Sequence, residues 1–205
     1  MSSLGALAGH RIVPVVVIDD PARAVDLAEA LSAGGIRCAE ITLRTPRALA
    51  AIEAMSSVPD FTVGVGTVLT ETQLADSLAA GARFIVSPGF DEHLVRVCLQ
   101  RGVGVLPGVA TPSEAMAALR LGLEAVKFFP ADRLGGLPTI RAMAVALPGL
   151  GFVPSGGVGE ATVAEYLADP AVAAVSGAWM APAALIAAGD FDEITRRATA
   201  AVAAT

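Results

Sequence analysis

The chain has 205 residues, 54% of them apolar, with a net charge of -6 and a mean hydropathy of +0.65. That length suits one domain with a substantial core, and the apolar fraction excludes disorder and low complexity. The acidic balance leaves no basic face for phosphate backbones, which argues against nucleic-acid binding.

Short Val/Ile-rich runs alternate with segments of helical periodicity along the chain. The runs begin near Ile12, Cys38, Thr62, Arg83, Val103, Ala125, Gly151 and Val172, at intervals of 20 to 26 residues. The segments between them open with helix-start chemistry. Asp20-Pro21 supplies an N-cap and a first-turn proline ahead of Leu27, Ala28 and Leu31, and Thr45-Pro46 repeats the pattern. Thr70 with Gln73, and Thr111 with Glu114, match capping boxes. Gly34-Gly35, Gly81, Gly102 and Gly122 stop helices before the next run. Eight strand–helix units predict a (β/α)8 barrel, one domain over residues 1–205. The runs are apolar throughout, as in a parallel sheet covered by helices. An open doubly wound sheet would share the pattern, but no Gly-x-Gly-x-x-Gly follows the first run.

The uncharged stretch Pro170–Gly189 approaches the length of a membrane span. Ser176, Gly177 and Pro182 divide it, so it reads as a buried strand followed by a short helix. Met1–Gly9 lacks a basic region and a long apolar core, and no secretory signal is expected. Cys38 and Cys98 read as two small buried thiols in a reducing, cytoplasmic setting.

Barrels of this type carry their chemistry at the C-terminal ends of the strands. The second run ends Glu40-Ile41-Thr42-Leu43-Arg44, and alternation places Glu40, Thr42 and Arg44 on one face. A carboxylate there needs a partner or a use, and an ion pair between Glu40 and Arg44 is the structural alternative. The third run ends Gly64-Val65-Gly66-Thr67, where small residues leave room for a ligand and the threonine can donate to a carboxylate. The seventh and eighth end Pro154-Ser155-Gly156-Gly157 and Ser176-Gly177-Ala178, a plausible anion cradle of consecutive amides.

The sixth run carries Val126-Lys127-Phe128-Phe129-Pro130. Of 14 basic residues 13 are arginine, so Lys127 is the only side-chain amine. An Arg-rich coding bias accounts for the depletion, yet arginine stays charged whereas a lysine can become a neutral nucleophile. Such an amine can attack a ketone and form a protonated imine, the electron sink for breaking an adjacent carbon–carbon bond. The alternatives are a lysine that snorkels to the barrel mouth or a phosphate-binding cation. Metal chemistry has little support: His10 and His93 have no ligand-spaced partners, and His93 is expected on a helix facing solvent or Asp91.

These residues resemble the 2-keto-3-deoxy-6-phosphogluconate and 4-hydroxy-2-oxoglutarate aldolases. The resemblance runs from about Ile12 to the last helix. It rests on Glu40-Ile41-Thr42-Leu43-Arg44-Thr45, Gly64-Val65-Gly66-Thr67-Val68-Leu69, Val86-Ser87-Pro88-Gly89, Leu106-Pro107-Gly108, Lys127-Phe128-Phe129-Pro130-Ala131 and Gly156-Gly157. It implies a trimeric class I aldolase in the cytoplasm, with no metal or organic cofactor. Lys127 would form the imine with pyruvate, and Glu40 would shuttle protons. Arg44 and Thr67 would hold the pyruvate carboxylate, and Pro88 and Phe128 would wall the pocket. Gly156 and Gly157, with Ser155 and Gly177, would seat the distal phosphate of an aldehyde such as glyceraldehyde 3-phosphate.

Two departures from the family pattern stand out. Ser155 replaces a threonine, which keeps the hydroxyl, and Ser176-Gly177-Ala178-Trp179 replaces Gly-Gly-Ser-Trp. Ala178 thus lacks a phosphate-contacting hydroxyl, and Ser176, two residues upstream, is the candidate substitute. A weaker preference for phosphorylated aldehydes follows, and the alternative within the family is an aldolase for 4-hydroxy-2-oxoglutarate or another 2-keto-3-deoxy sugar acid, phosphorylated or not. A non-catalytic barrel binding a phosphorylated metabolite would explain the glycines but not Glu40 beside a buried lysine.

Overall fold

A computed structural model describes residues 4–205 of the chain. Met1 to Ser3, the start of the segment read for a secretory signal, lie outside the described residues. Strands and helices alternate as β1 (Ile12–Val16), α1 (Ala24–Ala33), β2 (Cys38–Thr42), α2 (Ala48–Ser56), β3 (Thr62–Gly66), α3 (Glu71–Ala79), β4 (Phe84–Val86) and α4 (Glu92–Gln100). There follow β5 (Gly104–Leu106), β6 (Gly108–Val109), α5 (Pro112–Arg120), β7 (Ala125–Phe128), α6 (Gly136–Ala146), β8 (Gly151–Pro154), α7 (Val163–Leu167), β9 (Val175–Gly177), α8 (Ala183–Ala188) and α9 (Phe191–Val202). The fifth run of the sequence is one strand broken at Pro107, which has no N–H to donate to a ladder. From there the strand labels run one ahead of the runs.

All pairings are parallel and form two arcs. One arc has the order β5-β4-β3-β2-β1-β9 and the other β6-β7-β8. The arcs are joined at Pro107 by the chain itself, and at β8–β9 by single bridges, Phe152 with Val172 and Ser155 with Ser176. The result is a closed (β/α)8 barrel. Arg11 reinforces the β8–β9 side from below: Nη1 donates to the carbonyls of Val172 and Ala173 at 3.1 and 3.0 Å, and Nη2 to Leu167 at 2.7 Å.

Alternation explains the two faces of each strand. Ala39, Ile41, Val63, Val65 and Ile85 pack outward under the helices and are buried. Gly64 faces inward opposite Glu40, and a Cβ on it would lie 2.2 Å from the Phe84 ring, so this glycine makes space for an aromatic that fills the barrel. The helical ring closes where the Thr195 hydroxyl of α9 donates to the Ala30 carbonyl of α1 at 3.0 Å.

Helix caps follow the sequence signals in most places. Thr111 and Glu114 form a complete capping box ahead of α5, and Asp20 caps the short 3-10 turn that leads into α1. Thr70 accepts from the Gln73 amide, but the Gln73 side chain accepts from Leu69, so only half of that box forms. Thr45 does not cap α2: its hydroxyl donates to the Ile18 carbonyl at 2.8 Å and ties the β2–α2 turn to the segment after β1. The Pro170–Gly189 stretch divides into β9 and α8, and no helix among the described residues is long and apolar enough to cross a membrane. Burial pushes the Cys38 thiol up to about 12 and that of Cys98 to about 11.

Candidate active site

At the C-terminal mouth of the barrel lies a cavity of about 600 Å3. Of the residues expected there, Glu40, Arg44, Thr67, Pro88, Lys127, Ser155, Gly156, Gly157, Gly177 and Ala178 line it. Thr42, two residues from Glu40 on the same face, joins them, with its hydroxyl donating to the Val16 carbonyl at 3.0 Å.

The centre of the site is a buried ion pair. Lys127 Nζ lies 3.2 Å from Glu40 Oε1, and the two side chains are 7% and 1% exposed. Glu40 therefore pairs across the barrel with Lys127, and the alternative of a Glu40–Arg44 pair does not form. Glu40 Oε2 is enclosed and has no hydrogen-bond partner. Removing two such charges from water is costly, so a pair with a spare acceptor is a poor device for stability alone. The Phe129 ring lies 5.4 Å from the ammonium, within cation–π range.

Thr67 follows β3 with φ of +62°, a conformation that β-branched residues avoid. Strain of this kind is retained where the surroundings force it, and it turns the Thr67 side chain to the cavity wall.

The opposite end of the cavity is built from backbone. Gly156 and Gly157 have φ of +87° and +86°, which side chains other than glycine rarely adopt. Their loop is fixed to the segment after β7, with the amides of Ala131 and Asp132 donating to the Ser155 and Gly156 carbonyls at 2.8 and 2.9 Å. Gly177 makes room for Trp179, whose ring a Cβ there would meet at 2.2 Å. The Trp179 carbonyl accepts from Arg197 of α9 at 3.1 Å. The stretches Ser155–Val158 and Gly177–Trp179 place no charged side chain at this end.

Two expected site residues lie elsewhere. Phe128 does not wall the pocket. It points outward from β7, fully buried, with its ring edge-on to Phe152 at 6.5 Å between centroids. The wall is Phe129, which alternation returns to the side of Lys127. Ser176 is fully buried beside Val13 and Ser155, its Oγ has no partner, and it does not line the cavity. It cannot replace the hydroxyl absent at Ala178. Val15, Val158 and Trp179 line the cavity without having been singled out. Val15 is the register neighbour of Glu40, a relation that only strand pairing reveals. His93 lies on α4 and faces solvent, as expected, with its Nε2 3.2 Å from Glu71 on α3, while Asp91 caps α4.

Comparison with known proteins identifies the family. The family model "KDPG and KHG aldolase" matches residues 5–197. A 2-dehydro-3-deoxy-phosphogluconate aldolase of Treponema pallidum is 47% identical over 191 residues, 93% of this chain and 91% of that protein. Among solved structures, a KDPG aldolase of Legionella pneumophila, with pyruvate captured as a covalent carbinolamine, superposes with a TM-score of 0.92 at 40% identity, covering 98% of each chain. The 2-keto-3-deoxy-6-phosphogluconate aldolase of Zymomonas mobilis with 3-phosphoglycerate gives 0.90 at 41% identity, covering 96% of this chain and 92% of that one. A buried lysine paired with a glutamate, in a barrel of this family throughout its length, places the chain: it belongs to the KDPG and KHG aldolases.

Proposed function

We propose that the protein is a class I aldolase that cleaves 2-keto-3-deoxy-6-phosphogluconate to pyruvate and glyceraldehyde 3-phosphate through an imine on Lys127. The observation that carries this reading is the 3.2 Å contact between Lys127 and Glu40 inside the cavity. The neutral amine adds to the C2 ketone, giving a carbinolamine. Glu40, having taken up the proton that the ammonium gave up, delivers it to the carbinolamine hydroxyl, which leaves as water, and the nitrogen keeps its remaining proton as the protonated imine. Loss of the C4 hydroxyl proton, which Glu40 accepts, breaks the C3–C4 bond. The aldehyde departs, the bonding pair becomes the enamine, and the same proton returns to C3. Hydrolysis then frees pyruvate and the amine.

Arg44 and Thr67 hold the pyruvate carboxylate, with the guanidinium suited to a two-point grip. Pro88 and Phe129 bound the pyruvate pocket. Ser155, Gly156, Gly157 and Gly177 seat the phosphate. Treating the protein with pyruvate and borohydride is expected to leave a reduced adduct on Lys127, read by mass spectrometry, and absence of that adduct overturns the imine.

A second reading concerns the aldehyde. Ala178 offers no hydroxyl and the Asp132 side chain packs against Gly157, which favours a reduced preference for phosphorylated substrates, 4-hydroxy-2-oxoglutarate among the alternatives. A phosphorylated substrate that exceeds its dephosphorylated analogue by several orders of magnitude in kcat/KM overturns this second reading. The reading also takes residues 1–205 as one domain of a cytoplasmic homotrimer. Leu69 and Met116, apolar yet 58% and 48% exposed, support subunit contacts. Sedimentation at the mass of a single chain overturns the trimer.

A further inference from the structure

We propose that Gly66 is a positioning residue that holds the Glu40 carboxylate against Lys127; this rests on reading Glu40 as the proton carrier. Gly66 ends β3, and the expectation for a small residue there is room for a ligand. The space is occupied by Glu40 instead. A Cβ on Gly66 would lie 2.0 Å from Glu40 Oε1 and 2.7 Å from its Cγ and Cδ, the three nearest atoms. Oε1 is the same oxygen that contacts Lys127 Nζ at 3.2 Å.

Three observations separate this glycine from an ordinary strand glycine. Its φ is not in the left-handed region, so the backbone itself would accept alanine. It cannot retreat, because its carbonyl accepts from the Leu43 amide at 2.9 Å, which ties the end of β3 to β2. The atoms in the way belong to the far end of a flexible side chain. At Gly64 the obstacle is instead the Phe84 ring, locked in the core. Substitution at Gly64 is therefore a folding problem, whereas substitution at Gly66 displaces a carboxylate. Glu40 stands opposite Gly64 in register and leans one layer up the barrel into the space above Gly66. The missing side chain defines where the carboxylate rests.

The test is a double-mutant cycle of Gly66→Ala and Glu40→Ala. Its readouts are exchange of pyruvate methyl protons in deuterated water, cleavage kcat and KM, the borohydride adduct on Lys127, and melting temperature. Gly66→Ala is expected to slow exchange by about 100-fold, the usual scale of a misplaced acid–base group, while the adduct still forms. In the Glu40→Ala background the same substitution is expected to change exchange by less than about 2-fold, because its Cβ no longer meets a carboxylate. Equal losses in both backgrounds, or exchange within about 3-fold of wild type in Gly66→Ala, overturn the positioning role. If Gly66→Ala fails to fold but the double variant folds, the contact is supported; if neither folds, it is overturned. A wild-type protein without adduct overturns the imine reading and this proposal together. A Glu40→Ala variant that exchanges at the wild-type rate overturns the role of Glu40, and with it that of Gly66.

Discussion

The two ends of the cavity are made of different material. At one end, buried side chains on β2 and β7 supply the charges, and Glu40 and Lys127 meet at 3.2 Å. At the other, the backbone of Gly156 and Gly157 and the loop through Gly177 form the seat. Both departures from the family pattern, Ser155 and Ala178, fall at the backbone end. A bond-making pair requires particular atoms at particular places, whereas a seat of amides survives exchange of the side chains around it. Chemistry and substrate preference therefore occupy separable parts of one cavity.

Lys127→Arg should break the contrast most severely. Arginine keeps the charge but cannot form the imine, so the adduct should vanish and cleavage should fall by about 10⁴-fold or more in a kcat assay. Glu40→Gln keeps the size and a hydrogen bond but loses the proton carrier. Cleavage should fall by about 10²- to 10³-fold, and the pyruvate adduct should still form but more slowly, because Glu40 serves both the dehydration to the imine and the carbon–carbon step.

Ala178→Ser should sharpen the other end alone. One added hydrogen bond to a charged group is worth about 1.5 kcal/mol or more, so kcat/KM for a phosphorylated substrate should rise about 10-fold or more, with no change for a substrate lacking phosphate. The smallest effect should come from Asp169, remote from both ends. The Arg141 side chain, at 2.6 Å, and the Ala171 amide hold its carboxyl below the ordinary carboxylate range. A depressed folded value means that this stability is present above the unfolded pKa and is lost as pH falls through the folded one. Asp169→Asn should thus cost about 1 kcal/mol in denaturant unfolding at pH 7, and the difference from wild type should vanish in strong acid.

How far the sequence alone reaches is visible residue by residue. The barrel is legible because apolar runs and caps repeat at even spacing, and Glu40 and Lys127 because polar residues interrupt those runs. Phe129 was within reach of the alternation rule, which puts residues two apart on one face, yet the family pattern pointed to Phe128. Val15 was not, because its place beside Glu40 depends on register between strands 25 residues apart in the chain. Ser176 shows a different limit: alternation turns it inward correctly, but depth along the barrel decides whether an inward side chain reaches the cavity. Thr45 followed by proline has the form of a cap, and a tertiary acceptor, the Ile18 carbonyl, took its hydroxyl instead.

The break at Pro107 has a consequence for how the enzyme keeps its activity under stress. Glu40 belongs to the six-stranded arc and Lys127 to the three-stranded one, and no continuous ladder joins the arcs: they meet at that proline, through the Gly108 amide on the Ser87 carbonyl, and at two single bridges. Any breathing of the barrel along these lines pulls acid from amine while each arc keeps its own ladder of hydrogen bonds. The 3.2 Å contact is in this sense a gauge of closure. Activity should be lost on warming before helical circular dichroism falls, because the catalytic pair bridges the seams that the folded ladders do not.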